Sequence, residues 1–144
     1  MASVLDVAAY ILEKQGEMTT MKLQKLVYYS QAWSLVWDEK PLFSADIEAW
    51  ANGPVCRKLY AAHRGEFRIS SIEGGTSRAL DEAETETVDA VLCFYGDKGS
   101  HWLSQLTHME APWKDARGDV KPGQRCSEVI SHDSMAEYYD SLPG

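Results

Sequence analysis

Positive charge is scarce in this sequence. Fourteen Lys and Arg stand against 22 Asp and Glu, leaving a net charge of −8. Phosphate binding needs clustered Lys and Arg, so this balance argues against a nucleic-acid footprint and for a partner with basic surface. Cysteine is scarce too. Cys56, Cys93 and Cys126 are odd in number, widely spaced and without a C-x-x-C pair. That excludes a disulfide framework or zinc knuckle and favours a reducing cytoplasm, with all three read as small buried hydrophobes. No apolar run approaches the ~18 residues of a membrane span. The opening MASVLDVAAYILEKQGE has neither a basic n-region nor a cleavage signature, so a cytoplasmic protein with no membrane partner is expected. Repeats, low-complexity tracts and interdomain linkers are also missing. What is present, 44% apolar and 10% aromatic residues in 144, suits one compact domain over residues 1–144.

Helical spacing dominates. Ser3 can cap a helix to about Lys14, with Val4, Val7, Ala8, Ile11 and Leu12 on one face, and Gly16 ends it. Thr19 or Thr20 caps a second helix ending near Trp37. Leu23, Leu26, Val27, Ser30, Trp33, Ser34 and Trp37 form one stripe, and Met21, Tyr28, Ala32, Leu35 and Val36 form another beside it. A helix apolar over that much of its circumference belongs at the centre of a domain. Only Lys22, Lys25 and Tyr29 are read as facing outward, so reversing the two lysines should barely alter stability.

Asp46 to Asn52 alternates, with Ile47, Ala49 and Ala51 on one side and Glu48 and Trp50 on the other, as in a strand. Asn52-Gly53-Pro54 stops it, and Pro54 suits the first position of a helix from Val55 to His63. Phe67–Ile72 reads as a partner strand. A fourth helix, about Asp81 to Tyr95, buries Val88, Val91, Leu92 and Tyr95 behind an acidic first turn. A short helix from His101 to Met109 turns Trp102, Leu103 and Leu106 inward. DARGDVKPGQ reads as a loop, and Ser131 can cap a last helix through Tyr139. The expected fold is mainly α, with a small two- or three-stranded sheet.

Chemistry-bearing candidates are few. His108 and Glu110, two residues apart at a helix end, point in different directions and cannot chelate one ion unaided. His101 adds only an i, i+7 partner, and a His/Glu metal-dependent hydrolase is the alternative in a different class. Cys56 sits near a helix start, but His63 lies two turns away. No nucleophile elbow or phosphate-binding glycine loop occurs. The plainer reading is that Thr107, His108 and Glu110 satisfy backbone groups where a helix ends before Pro112, with Trp113 pinned into the core.

Three blocks, MTTMKLQKLVYYSQAW, PLFSADIEAWANGPVCRKLY and LSQLTHMEAPWKDAR, together resemble the Panacea antitoxin domain family, which includes phage-associated and SocA-type antitoxins. The resemblance runs from about residue 4 to residue 140. It rests on K-L-Q-K-L-x-Y-Y, E-A-W-x-x-G-P-V and L-T-H-x-E-x-P-W. It implies a mostly helical domain that performs no catalysis, needs no cofactor, and neutralises a cognate toxin by binding it directly. Some members are thought to deliver the toxin to a protease, which makes a proteolytic adaptor the nearer alternative. Unlike a common arrangement in the family, this chain has no appended helix-turn-helix or zinc ribbon, so direct nucleic-acid binding is not expected. Gly53, Pro54, Thr107, His108, Glu110 and Trp113 are signature residues expected to hold the fold. The expected partner surface comprises the Lys22, Lys25, Tyr29 stripe and the turn carrying Trp50, Asn52 and Arg57. Trp50 faces either a second core layer or that partner.

Overall fold

A computed structural model describes residues 1–143. Helix α1 (Val4–Gln15) begins with a reciprocal capping box between Ser3 and Asp6, and Gly16 ends it at φ +81°. Strand β1 (Met18–Thr19) leads straight into α2 (Thr20–Trp37), where the Thr19 hydroxyl accepts from the Lys22 backbone N–H. Strands β2 (Ile47–Trp50) and β3 (Gly53–Cys56) form an antiparallel hairpin in register Ile47↔Cys56 and Trp50↔Gly53. Helix α3 (Arg57–His63) follows, then β4 (Arg68–Ile69), a 3-10 turn (Ser77–Ala79), α4 (Glu82–Tyr95), α5 (Ser100–Met109), α6 (Ala111–Arg117) and α7 (His132–Asp140).

The fold is mainly α, with its minor β structure in two separate two-stranded antiparallel sheets. The Phe67–Ile72 segment does supply a strand. That strand pairs with β1, at Met18↔Ile69 and Thr19↔Arg68, and not with the Ile47 strand. Pro54 does not open a helix either. It lies inside β3, and α3 begins only at Arg57. Its missing N–H makes Pro54 easy to place beside an edge, and its neighbour Gly53 takes a left-handed φ of +125° that a helix could not follow. The outer edge of β2 is covered by the 128–130 segment, through Ala49 N–H to Glu128 O at 2.9 Å and Ile130 N–H to Ile47 O at 2.7 Å.

Helix α2 is the axis of the fold. Helices α1, α4, α5 and α7 and strand β3 all pack on it. Leu23, Leu26, Val27, Tyr28, Tyr29 and Ala32 are buried around its full circumference. The wrapping stops at its C-terminal end, so several expected core residues emerge. Trp33, Leu35 and Val36 are half-buried and Trp37 is half-exposed, while Met21 is exposed at the other end. On α5, Leu103 is buried as expected, but Trp102 is 46% exposed with Lys98 over its ring. Only Cys56 among the cysteines is buried; Cys93 is exposed and Cys126 intermediate. The segment expected as a loop from Asp115 is helical through Arg117, because Pro112 starts α6 instead of merely ending α5.

Candidate functional site

The three sequence blocks meet at one place. Strand β3 is buried at every position although only one of its edges pairs with β2. Helix α2 satisfies the other edge with side chains. Gln24 acts as a surrogate strand: its Nε2 donates to Cys56 O at 3.2 Å and its Oε1 accepts from Cys56 N–H at 2.9 Å. One turn-step on, Lys25 Nζ donates to Pro54 O at 3.1 Å. Both residues do what an adjacent strand would do for buried backbone groups. Gln24 Nε2 also lies 3.0 Å from His63 Nε2, tying α3 to the same point. The Lys25 stem crosses directly over Gly53. A Cβ there would come within 2.5 Å of Lys25 Cε and 3.0 Å of Thr107 Oγ1, so both the space and the φ of +125° require glycine.

The joint between α5 and α6 closes the arrangement. Thr107 Oγ1 donates to Ser104 O at 2.7 Å, satisfying a backbone carbonyl as expected. The His108 ring stacks on Trp113 at 4.1 Å between centroids, 12° from parallel. The Trp113 indole N–H donates to Trp50 O at 2.8 Å. Burial holds the His108 pKa below its usual value; the Asn52 backbone opposes this, and the charges of Lys25 and Arg117 add to it. Its Nε2 is buried without a hydrogen-bond partner, a position that suits a neutral ring with Nε2 unprotonated.

Glu110 does not satisfy a helix end. Its Oε1 accepts from the hydroxyls of Tyr29 and Tyr139, both at 2.7 Å, and Tyr139 lies 3.0 Å from the Tyr28 hydroxyl. Burial raises the Glu110 pKa, while the two hydroxyls pull it back down. Tyr29 in turn stacks on Tyr95 at 4.1 Å. Arg117, which sequence reasoning passed over, is buried beneath the hairpin. It donates to the carbonyls of Ala49, Lys121 and Gln124 and lies over the Trp113 ring. The signal was available: the R of PWKDAR is a helical position one turn past Trp113.

Beside this latch runs an open groove of about 870 Å³. Four cations line it, namely Lys25 at the floor and Arg57, Arg64 and Arg125 above, together with Trp50 and Tyr60. None of its sixteen lining residues is Asp or Glu, although the chain carries 22 of these. Arg57 forks Glu48 at 2.9 and 3.1 Å and lies 5.3 Å from the Trp50 ring centroid. The same carboxylate accepts from the Trp50 indole at 2.9 Å, and Trp50 meets Tyr60 edge-on at 5.0 Å. Among the described residues, no carboxylate pairs with Arg64, Arg125 or Lys25. Burial pushes the Lys25 ammonium down to about 7.

Residues 23–114, well over half of the chain, match the family model described as antitoxin SocA-like, Panacea domain. The chain belongs to this family. No match is found among curated proteins, and none among solved structures. The matched stretch of the Panacea domain holds every latch residue from Gln24 to Trp113, while Arg117 and Tyr139 reinforce it from beyond.

The residues expected at the Panacea domain's partner surface divide. Trp50 is half-buried, and Asn52 and Arg57 are exposed around the turn, all three lining the groove. The expected stripe on α2 does not face outward. Lys25 is 1% exposed and Tyr29 fully buried, because the hairpin and the α5–α6 joint cover the face that the 22, 25, 29 spacing assigned to solvent. Lys22 is half-buried and donates to Gly96 O at 2.7 Å. Reversing the charge of Lys25 is therefore far from neutral for stability. Gly53, Pro54, Thr107, His108, Glu110 and Trp113 all sit in the latch. His101 is exposed at the far end of α5, and the described residues contain no group of three His, Cys, Asp or Glu placed to hold a metal. Cys56 ends β3 with its thiol pKa raised by burial, and His63 is engaged by Gln24.

Proposed function

We propose that the chain is an antitoxin that acts without catalysis, neutralising a cognate toxin in the cytoplasm by direct protein–protein binding. Membership of an antitoxin-like family carries the reading. The geometry agrees with it: the most distinctive residues of the sequence are consumed in fixing the β2–β3 hairpin against α2 and α6. That fixing leaves a rigid turn, with Trp50, Asn52 and Arg57 presented at the mouth of a groove. Trp and Arg held on a pre-organised turn suit a binding surface, since little ordering entropy is lost on contact.

The test is co-expression. The product of the neighbouring gene should arrest growth when expressed alone, and this chain should relieve the arrest and co-purify with it. Absence of rescue would sink the proposal. Rescue without a stable complex, accompanied by protease-dependent loss of the toxin, would convert a blocker into an adaptor.

A further inference from the structure

The groove carries an inference about what it receives. We propose that it takes an acidic segment of the partner toxin, whose carboxylates meet Arg64 and Arg125 while an apolar side chain packs on Trp50 and Tyr60. This rests on the antitoxin reading above and deepens it.

Charge segregation is the first argument. A molecule with an excess of eight negative charges has excluded every Asp and Glu from the lining of this groove and placed four of its 14 cations there. Arg57 already has Glu48, but Arg64 and Arg125 are exposed and free of carboxylates among the described residues. Glu48 offsets Arg57, and acids beyond about 8–10 Å are screened at physiological salt, which leaves Arg64 and Arg125 as the uncompensated charges of the groove. The floor of the groove is closed: Lys25 is 1% exposed and already donates to Pro54 O, so an entering carboxylate meets the exposed arginines.

Spacing favours a peptide over a phosphate ligand. Arg57 and Arg64 stand seven positions apart at the two ends of α3, roughly 10 Å along the axis at helical rise. Cations strung out this way match carboxylates along a segment better than one phosphate group. The aromatic rings also offer no clamp for a base. Trp50 lies under Arg57 and meets Tyr60 edge-on, leaving no parallel pair to clamp a base. A long polyanion would also feel the net charge of −8, which a short acidic segment largely escapes.

The probe is a short fluorescein-labelled peptide alternating Glu and Leu around a central Trp, followed by anisotropy. Its Lys-for-Glu counterpart, ATP and a short single-stranded RNA serve as comparators. The acidic peptide should bind with affinity that falls as salt rises, and the basic peptide should not bind. The double variant Arg64→Glu/Arg125→Glu should melt like the parent and bind at least about tenfold more weakly. Lys14→Glu/Arg78→Glu makes the same change in net charge at exposed sites outside the groove, and should bind as the parent does. Equal weakening by both double variants would reduce the effect to net charge and overturn the site. So would tighter binding of ATP or RNA than of the acidic peptide, or no peptide binding at all. Toxin rescue is scored in parallel. A parent chain that fails to rescue overturns the antitoxin reading whatever the peptide does. A parent that rescues, with an Arg64→Glu/Arg125→Glu variant that rescues equally, overturns only the groove.

Discussion

Gly53 shows how much one residue can fix. Its φ of +125° and the 2.5 Å approach of Lys25 Cε leave no room for a methyl group. Gly53→Ala should therefore cost about 2 kcal/mol or more, combining backbone strain with overpacking. Urea titration checks this, and an unchanged midpoint would mean that the Lys25 stem does not lie where the structure puts it. Lys25 itself makes a prediction with a definite sign. Its ammonium titrates near 10.5 when unfolded and at about 7 when folded. Between those values the unfolded chain binds more protons, so this group's contribution to stability rises with pH, by at most about 1.4 kcal/mol per unit. Below about 7 the burial cost is present in full. The nearby His63 and His108, whose pKa values burial holds down, are already neutral across that window. The stability difference between Lys25→Met and the parent should favour the variant most at or below pH 7 and shrink towards pH 10. A flat difference would show that Lys25 is solvated. The sequence could not reveal any of this at position 25. A lysine on a helix carries the same letter whether its neighbour is water or a strand edge, and only the hairpin's return in space decides.

Elements were more legible than faces. The caps at Ser3, Thr19 and Ser131, the acidic first turn after Asp81 and the 3.6-residue periodicity mark four helices to within a residue or two, because those signals are local. Identifying α2 as the central helix followed from apolar residues around its circumference. Leu26 is fully buried on it, and Leu26→Ala should cost roughly 2–5 kcal/mol, read by thermal or chemical melting. A parent-like melt would remove α2 from the core. Trp33, placed on the same stripe, is only half-buried, so truncation there should cost less. The errors cluster where tertiary pairing overrides local preference. Pro54 at a helix start and Pro54 beside a strand edge look alike in sequence; Gln24 and Lys25, thirty residues upstream, make the second possible. Helix α6 was missed for a related reason, since Pro112 reads equally as an ending or a beginning.

At the scale of the molecule, the latch is distributed along the chain in a way that bears on how much of it folds. The family match ends at 114, yet the core does not. Val7, Ala8 and Ile11 of α1 and Met135 and Tyr139 of α7 are buried in the same cluster as α2. Tyr139 supplies one of the two hydroxyls on Glu110, and Arg117 holds three carbonyls beneath the hairpin. Trimming the protein to residues 23–114 would uncover two faces of α2 and leave the buried Glu110 with Tyr29 alone. A buried carboxylate that loses one of its two donors costs on the order of 1–3 kcal/mol, and the exposed faces of α2 cost more, together enough to consume a surplus of only about 5–15 kcal/mol. We expect the 23–114 fragment to be aggregation-prone and to melt without a cooperative transition, while the full chain unfolds in one step by circular dichroism and calorimetry. Restoring only residues from 115 onward should recover secondary structure around the hairpin but not the stability of the whole, because the face of α2 that α1 packs on stays bare. A sharp, cooperative melt from 23–114 would show that the matched segment is self-sufficient, and that α1 and α7 are additions to a finished core instead of parts of it.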